Sequence, residues 1–333
     1  MFSKAPWNPP SRFDPEVEWF ELPDGQRLQV VEDASQSILS ENKNPEMGFR
    51  WSLNPYRGCF HGCAYCYARP THEYLGWGAG SDFERKILVK PRAAELLQDR
   101  FERRSWTGEL VLFSGNTDCY QPLEQRYRLT RACLRVCRNY RNPVGIITRS
   151  ALIERDIDLL VQLDAHVTFS LPIWDPVICR KLEPGAPPPR RRLEAMAALA
   201  EAGVPVGVSI APAIPTVTER ELPTILEACR EAGASWAFFM PLWLPRGTAE
   251  VFQRRLEQAL PLRAMSILER HRRRRGQLVE TARERARPSQ GQSWPAARRL
   301  FEIHHRRLGY QDPPERGPTR FRRPQAQLGL FVR

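Results

Sequence analysis

Residues 53–76 read LNPYRGCFHGCAYCYARPTHEYLG and place Cys59, Cys63 and Cys66 within eight positions. The N-terminal sequence MFSKAPWNPP lacks the apolar core of a secretory signal, and no run of about 18 apolar residues is present to cross a membrane. We therefore expect a cytoplasmic protein with no membrane partner. In a reducing compartment, clustered cysteines are more often metal ligands or catalytic groups than disulfides.

The C-x3-C-x2-C spacing leaves two metal interpretations open. Structural zinc takes four ligands, and His61 or His72 is the candidate for the fourth. A four-iron cubane is normally held by four cysteines, so three would leave one iron open to an outside ligand. The cubane is favoured because no second cysteine or histidine pair is placed to complete a zinc site. Gly58 and Gly62 agree with it, since glycine lets a backbone turn tightly around a cluster.

Outward from this stretch, apolar segments rich in β-forming residues alternate with helical patterns. Such segments are typical of parallel strands covered on both faces. The predicted strands are one just before Cys59 and then residues 109–114, 144–150, 166–173, 204–214 and 236–243. The predicted helices cover residues 125–139, 152–163, 190–202 and 218–233, the last opening on a capping-box spacing of Thr218 and Glu221. Six βα units predict an α/β fold, a partial (β/α)6 TIM-type barrel with the cysteines at its carboxyl-terminal rim.

The barrel is predicted over residues 48–261, with three further segments around it. Residues 1–47 are expected to form an N-terminal extension containing a hairpin that turns at the Asp-Gly pair 24–25. Residues 262–318 read as a basic helical region, and residues 319–333 as an extended tail. The chain carries 50 lysines and arginines against 38 acids, a net charge of +12. This excess predicts a polyanionic partner such as DNA, and a solvated arginine-rich surface is the alternative.

Three motifs resemble those of the radical S-adenosylmethionine (SAM) enzymes, and among them the group similar to spore photoproduct lyase. The motifs are NPYRGCFHGCAYCYARPTHEYLG (54–76), SGNTDCYQPLE (114–124) and ITRS (147–150), and the resemblance covers roughly residues 35–250. It implies a [4Fe–4S] cluster on Cys59, Cys63 and Cys66, with SAM on the open iron and an electron donor that reduces the cluster. Reductive cleavage of SAM would then yield a 5′-deoxyadenosyl radical.

The resemblance also implies roles for residues near the first two strand ends. Tyr65, between the last two cysteines, matches an aromatic residue that lies beside the adenine in these enzymes. Ser114, Gly115 and Asn116 stand where these enzymes bind the SAM amino group. The alternative for these three residues is a tight turn closed by a polar cap.

Polar residues at later strand ends are further SAM-binding candidates. Arg149 ends the third predicted strand and could pair with the SAM carboxylate, or it could be a surface arginine. Ser170 and Ser209 interrupt apolar strands and could bind SAM hydroxyl groups. The alternative for both serines is a buried hydroxyl bonded to the backbone.

The other cysteines carry weaker signals. The lyase has a cysteine at the second strand end that returns a hydrogen atom to the product radical, and this chain has none at that position. Cys119 lies just beyond and is a candidate for a displaced hydrogen donor, although a small buried residue is the favoured interpretation. Cys133 and Cys137 share one helix face and are expected in the core, and Cys179 and Cys229 read as isolated thiols.

The resemblance implies an enzyme that acts on nucleic acid, with DNA repair as the activity and DNA as the partner. Two alternatives stay open. One is a radical SAM enzyme that modifies a protein or a small metabolite, and the other is a non-catalytic iron–sulfur factor that binds DNA. Cleavage of SAM would distinguish an enzyme from a binding factor.

The tail contains the pentapeptide QLGLF (327–331), which resembles the motif by which bacterial replication and repair proteins bind the sliding clamp. Gln327 offers a donor and an acceptor, and Leu328, Leu330 and Phe331 are apolar anchors. The proline-rich residues 312–324 are expected to hold this peptide away from the barrel. The alternative is a tail that folds back over an apolar patch.

Overall fold

The strands of this protein form two sheets within the residues that the computed structural model describes, which are 17–21, 27–42, 48–275, 277–279, 295–314 and 319–324. In chain order the strands are β1 (Val17–Glu21), β2 (Arg27–Glu32), β3 (Leu39–Glu41), β4 (Trp51–Leu53), β5 (Tyr56–Arg57), β6 (Lys86–Val89), β7 (Val111–Phe113), β8 (Val144–Thr148), β9 (Ala165–Ser170), β10 (Val206–Ala213) and β11 (Trp236–Pro241).

The α-helices lie mainly between the strands of the larger sheet. They are α1 (Ser81–Arg85), α2 (Ala93–Glu102), α3 (Glu124–Tyr127), α4 (Leu129–Tyr140), α5 (Ile157–Leu160), α6 (Pro176–Leu182), α7 (Pro189–Glu201), α8 (Thr218–Glu231), α9 (Thr248–Ala259), α10 (Ala264–Arg275) and α11 (Pro295–Arg307). None of these helices is long and apolar enough to span a membrane, a finding that covers the described residues alone.

The larger sheet has the strand order β11-β10-β9-β8-β7-β4-β3. From β4 to β11 its neighbouring strands pair in parallel and in chain order, and β3 is antiparallel to β4 at the edge. The predicted partial (β/α)6 barrel is therefore confirmed. Because all six parallel strands point the same way, the loops that follow them meet at one rim.

The smaller sheet joins the N-terminal hairpin to a segment that lies between two barrel strands. β1 and β2 pair antiparallel, from Val17 opposite Val31 to Glu21 opposite Arg27, which confirms the predicted hairpin strands. β2 then pairs in parallel with β6, and β6 pairs with β5. β6 and β5 come from the connection between β4 and β7, so the predicted extension and the barrel share this sheet.

Two local expectations are wrong. The helix expected over residues 152–163 is a 3-10 helix (Ala151–Asp156) followed by the single turn of α5. The capping box of Thr218 and Glu221 does not form. The Glu221 carboxylate instead accepts hydrogen bonds from the amides of Trp174 and Asp175, at 2.8 and 3.1 Å, and fixes the loop that follows β9. Glu221 therefore binds distant backbone amides instead of capping its own helix. The spacing of Thr218 and Glu221 in the sequence cannot predict such a distant partner.

The expectation that residues 312–324 hold the tail away from the barrel is wrong for residues 319–324. The Phe321 ring packs against Phe101 and Tyr140, with ring centroids 5.8 and 6.1 Å apart, and the Arg322 amide donates to Tyr140 O. Phe321 fits because Gly108 has no side chain, and a Cβ there would lie 2.2 Å from the Phe321 Cβ. Burial of an aromatic ring accounts for the docking. The QLGLF peptide itself lies outside the described residues.

Candidate active site

The three cysteines lie in one turn after β4 and β5, at the carboxyl-terminal rim of the barrel. We name residues 58–68 the cysteine loop. Two main-chain hydrogen bonds tie it to neighbouring helices: the Cys59 amide donates to Phe83 O at 2.9 Å, and the Ala64 amide donates to Leu182 O at 2.8 Å. The loop is therefore fixed by α1 on one side and by α6 on the other.

All three cysteines are free thiols, with Cys59 and Cys63 buried and Cys66 half-buried. Burial raises the pKa of each thiol, to about 12 for Cys63, where the Arg149 charge opposes the rise. Thiolates are the form that binds iron, so occupation of this loop by a cluster would release protons. Three free thiols on one rigid turn fit the ligand set that an iron–sulfur cluster needs.

Arg149, at the end of β8, brings several predicted site residues together. Its Nη1 donates to Cys63 Sγ at 2.9 Å and to Tyr65 Oη at 3.0 Å, and its Nη2 donates to Ser170 Oγ at 3.3 Å. Ser209 pairs with Ser170 across β9 and β10. Arg149 is thus not a surface arginine, and it links the cysteine loop to the row of polar residues inside the barrel.

Glu183 is the acidic partner of this group, and sequence reasoning missed it. It accepts from Arg149 Nη1 at 3.1 Å, and also from Tyr65 Oη and from Arg192 Nη2. Burial alone would raise the pKa of Glu183, but the charges of Arg192 and Arg149 and the hydrogen bond from Tyr65 lower it to about 2. The carboxylate therefore stays ionised between two buried guanidinium groups.

Cys179 belongs to the same group and is not the isolated thiol that was expected. Its Sγ lies 3.4 Å from Glu183 Oε2 and 3.4 Å from Arg192 Nη2. Arg192 also donates to Ser170 O at 3.0 Å, and its side chain is fully buried. Glu183, which directly follows α6, and Arg192 of α7 thus contact the SAM-binding candidates Arg149 and Ser170.

The loop after β7 holds the candidates Ser114, Gly115 and Asn116. Ser114 has a φ of 81°, and its Oγ accepts from the Cys119 amide at 2.9 Å. Asn54, which sequence reasoning missed, accepts through Oδ1 from the Asn116 amide at 2.8 Å. The Asn116 side chain is exposed at the rim. This loop is a tight turn, as the alternative held, and its geometry also leaves Asn116 available to a ligand.

Asp118 connects this loop to the cysteine loop. Its carboxylate accepts from Thr148 Oγ1 at 2.7 Å and from the Arg149 amide at 2.9 Å, and it lies 3.4 Å from His61 Nδ1. Burial would raise the pKa of Asp118, but His61 and the hydrogen bonds lower it to about 2. Asp118 thereby fixes the end of β8 by two hydrogen bonds and lies beside His61 of the cysteine loop.

The fourth ligand that zinc would need is not supplied by either candidate histidine. His61 faces Asp118, and His72 Nε2 lies 2.9 Å from Lys86 O. Within the described part of the chain, no three His, Cys, Asp or Glu side chains converge on the position of one metal ion. A cubane presents a separate iron to each thiolate, so its ligands need not converge on a point. The donor set thus fits the cluster better than it fits zinc.

Four of the remaining cysteines belong to the main hydrophobic core. Cys119 is fully buried in the main hydrophobic core, and burial raises the pKa of its thiol. Cys133, Cys137 and Cys229 are in the same core, as expected for the first two. Cys179 instead contacts Glu183, in the group around the cysteine loop.

Several residues that hold this site were not identified from the sequence. Some lie inside the quoted motifs and could have been suspected there: Asn54, Arg69, Asp118 and Gln121. Gln121, for example, accepts from the Phe60 amide at 3.0 Å and supports the cysteine loop. Glu183 and Arg192 have no motif around them, and only the tertiary structure reveals their role.

Comparison with known proteins agrees with this geometry. The sequence profile of the radical SAM superfamily matches residues 53–229. An uncharacterized protein of Mycobacterium tuberculosis is 36% identical over 229 residues, which are 66% of this chain and 67% of that protein. An uncharacterized protein of Methanocaldococcus jannaschii is 25% identical over 196 residues, which are 59% of this chain and 71% of that protein.

Solved structures show the same fold. A mutant of spore photoproduct lyase superposes with a TM-score of 0.57 at 14% identity, over 84% of this chain and 80% of the lyase. A second mutant, with bound AdoMet and a dinucleoside spore photoproduct, gives a TM-score of 0.51 at 17% identity. That match covers 70% of this chain and 66% of the lyase, slightly under two thirds of its length. Since the profile spans more than half of the chain, this protein belongs to the radical SAM superfamily, an enzyme family that uses SAM and a [4Fe–4S] cluster.

Proposed function

We propose that this protein binds a [4Fe–4S] cluster through Cys59, Cys63 and Cys66 and cleaves SAM reductively at the open iron. The observation that carries the proposal is the single turn with three free thiols at the barrel rim, with Arg149 donating to Cys63 Sγ. A cluster held by these three thiolates would supply one electron, taken from an external donor, for cleavage of SAM into methionine and a 5′-deoxyadenosyl radical. The protein's own residues hold and orient SAM for that step.

The loop after β7 is the proposed site of the SAM amino group. Asn54 accepts from the amides of Asn116 and Thr117, at 2.8 and 3.3 Å, so the loop is pre-formed. Asn116 can then offer its exposed amide to the ligand. Arg149 is the proposed partner of the SAM carboxylate. Ser170, which accepts from Arg149 Nη2, and Ser209, its register partner on β10, are the proposed partners of the SAM hydroxyl groups.

The test is an anaerobic assay for 5′-deoxyadenosine with reconstituted protein, SAM and dithionite. Asn116→Ala should lower SAM cleavage about tenfold or more while iron content stays at the wild-type level. Asn139→Ala, an exposed asparagine on α4, is the matched control and should leave cleavage unchanged. Wild-type cleavage in the Asn116 variant would remove that residue from the SAM site, and intact SAM in the wild type would refute the enzyme proposal.

We further propose that the substrate is nucleic acid and that the activity is DNA repair. The net charge of +12 favours a polyanion. A row of paired residues leads from Arg149 through Ser170 and Ser209 to Phe238 of β11, whose ring is 42% exposed. An exposed aromatic ring on that row suits stacking on a planar base. The lyase structure that shares this fold holds a dinucleoside.

Nucleic-acid binding has two separate tests. The logarithm of the association constant for duplex DNA should fall linearly with the logarithm of the salt concentration, with a slope near −0.9 per phosphate contact. The arginine-rich segment 270–287 is the proposed source of these contacts. Phe238→Ala should weaken DNA-stimulated formation of 5′-deoxyadenosine, whereas Leu262→Ala, which removes a fully exposed apolar side chain elsewhere, should not. Two results would contradict nucleic acid as the substrate: no DNA binding at low salt, or formation of 5′-deoxyadenosine that is stimulated by a protein or a metabolite instead of DNA.

The sliding clamp is the proposed protein partner, through Gln327, Leu328, Leu330 and Phe331. Full-length protein should bind a bacterial clamp with a Kd in the micromolar range, roughly −7 to −8 kcal/mol. The double change Leu330→Ala and Phe331→Ala should abolish binding and leave SAM cleavage unchanged. Unaltered clamp binding, or loss of the fold in the double variant, would show that the tail has another role.

A further inference from the structure

A second charged group lies against the cysteine loop, at the carbonyls of Gly62 and Cys63. Its centre is Glu84 of α1, which accepts from Arg69 Nη2 and, at 2.6 Å to each carboxylate oxygen, from Arg255 Nη2. Arg69 is fully buried, and the side chains of Glu84 and Arg255 are 11% and 24% exposed. We name these three residues the Glu84 group.

The Glu84 group acts on the backbone of the cysteine loop at Gly62 and Cys63. Arg69 donates to Cys63 O from Nε at 3.0 Å and from Nη2 at 2.8 Å, and Arg255 Nη1 donates to Gly62 O. Four guanidinium nitrogens, two from Arg69 and two from Arg255, therefore donate to two consecutive carbonyls or to Glu84. Such charge-assisted hydrogen bonds fix the loop between Arg69, the residue that follows it, and Arg255 of α9.

The two charged groups have the same composition. Glu84 lies between Arg69 and Arg255, and Glu183 lies between Arg149 and Arg192. Each group has two guanidinium charges and one carboxylate, so the formal charge of each group of three residues is +1. The Glu183 group reaches Cys63 through its Sγ atom, and the Glu84 group reaches Cys63 through its carbonyl oxygen.

We propose that the Glu84 group sets the reduction potential of the cluster by placing its excess positive charge beside Cys63, an inference that rests on the proposed function. Reduction adds one electron to the cluster and makes and breaks no bond in the protein. The added negative charge is stabilised by a nearby cation, most strongly where little water screens it. Arg69, Glu84 and Arg255 are thus positioning residues, which act on the cluster through the loop.

Charge-changing variants of opposite sign test the proposal. Reduction potentials are measured by EPR-monitored titration of reconstituted protein, with iron content and circular dichroism measured alongside. Arg255→Gln removes one positive charge and should disfavour the reduced form about tenfold, a shift of about −59 mV for a one-electron couple. Glu84→Gln removes one negative charge and should shift the potential upward. Arg255→Lys keeps the charge and should stay near the wild-type potential.

The control is Arg190→Gln, which removes an equal charge from an exposed arginine paired with Glu194 on α7, and it should not shift the potential. Equal potentials in wild type and Arg255→Gln, or shifts of the same sign in the Arg255→Gln and Glu84→Gln variants, would overturn the proposal. If the Glu84→Gln variant takes up no iron, the reduction potentials of Arg255→Gln and Arg255→Lys are compared instead. Equal potentials in these two variants would then overturn the proposal. A wild type that binds no cluster would instead refute the proposed function.

Discussion

The cysteine loop and helix α4 each carry closely spaced cysteines, in opposite surroundings. In the loop, charged side chains approach the thiols, and Arg149 lies 2.9 Å from Cys63 Sγ. On α4, Cys133 and Cys137 are fully buried within the hydrophobic core. Burial raises the pKa of the thiols in both regions, and in the loop the charge of Arg149 opposes that rise at Cys63 and Cys66. Close spacing of cysteines is thus not sufficient for a ligand site, because the surroundings decide whether a thiolate is stabilised.

The largest expected effect comes from removing a loop thiol. Cys63→Ala should abolish binding of the iron–sulfur cluster, because a cubane with two thiolate ligands loses its anchorage to the protein. Iron content and visible absorbance after anaerobic reconstitution measure the effect, and Cys59→Ala and Cys66→Ala should behave alike. The matched control is Cys137→Ala on α4, which should keep wild-type iron content. Stoichiometric zinc, with no iron–sulfur absorbance in the wild type, would remove the distinction between the two regions.

The second effect tests the charges that distinguish the loop. Glu183→Gln leaves two buried guanidinium groups without their carboxylate and should lower the free energy of unfolding by about 3–5 kcal/mol at pH 7. The pKa of Glu183 is about 2, below its usual 4.5, so its stabilisation is complete above pH 4.5 and is lost as the pH falls towards 2.

The difference between wild type and Glu183→Gln should therefore shrink between pH 4.5 and pH 2, as measured by urea unfolding of cluster-free protein. Glu194→Gln, at an exposed pair on α7, is the control and should cost less than about 1 kcal/mol at any pH. A pH-independent difference would mean that the ionised carboxylate is not the stabilising form.

The third effect tests the shape of the loop. Gly62 has a φ of +63°, and a Cβ there would lie 3.2 Å from the Glu84 carboxylate and 3.3 Å from Pro184. Gly62→Ala should cost about 1–2 kcal/mol for the left-handed backbone and should also lower cluster loading, since Glu84 must move. Gly76→Ala is matched in φ, at +72°, and has no atom within 4 Å of its Cβ. Gly76→Ala should lower the free energy of unfolding by a similar amount and leave the iron content unchanged. Equal iron content in the two variants would contradict the role of the contact between residue 62 and Glu84.

The smallest effect is expected on α4. Cys133→Val exchanges one buried apolar residue for another of similar size and should change the free energy of unfolding by less than about 1.5 kcal/mol. Cluster content and SAM cleavage should not change. A loss of iron in this variant would connect Cys133 to the site and would weaken the contrast between the two regions.

Sequence patterns were sufficient for the parts of the fold that repeat locally. Parallel strands buried on both faces form apolar runs, so all six strands of the barrel were predicted, and the rim position of the cysteines followed from strand order. The C-x3-C-x2-C spacing likewise identified Cys59, Cys63 and Cys66 as the candidate ligands. Local signals failed at the capping box of Thr218 and Glu221, where a distant partner uses the carboxylate.

Only the tertiary structure decided which charged residues surround the cysteine loop. Arg255 and Glu84 are 171 positions apart in the chain and meet at Gly62, and Glu183 and Arg149 meet at Cys63. A chain with 50 lysines and arginines has many arginines that could take part, and of these four residues Arg149 alone lies in a motif that the sequence analysis had identified. A buried charge is stable only when the fold brings it a partner, and that partner often comes from a distant element. A short segment of sequence therefore cannot show which charged residues are paired.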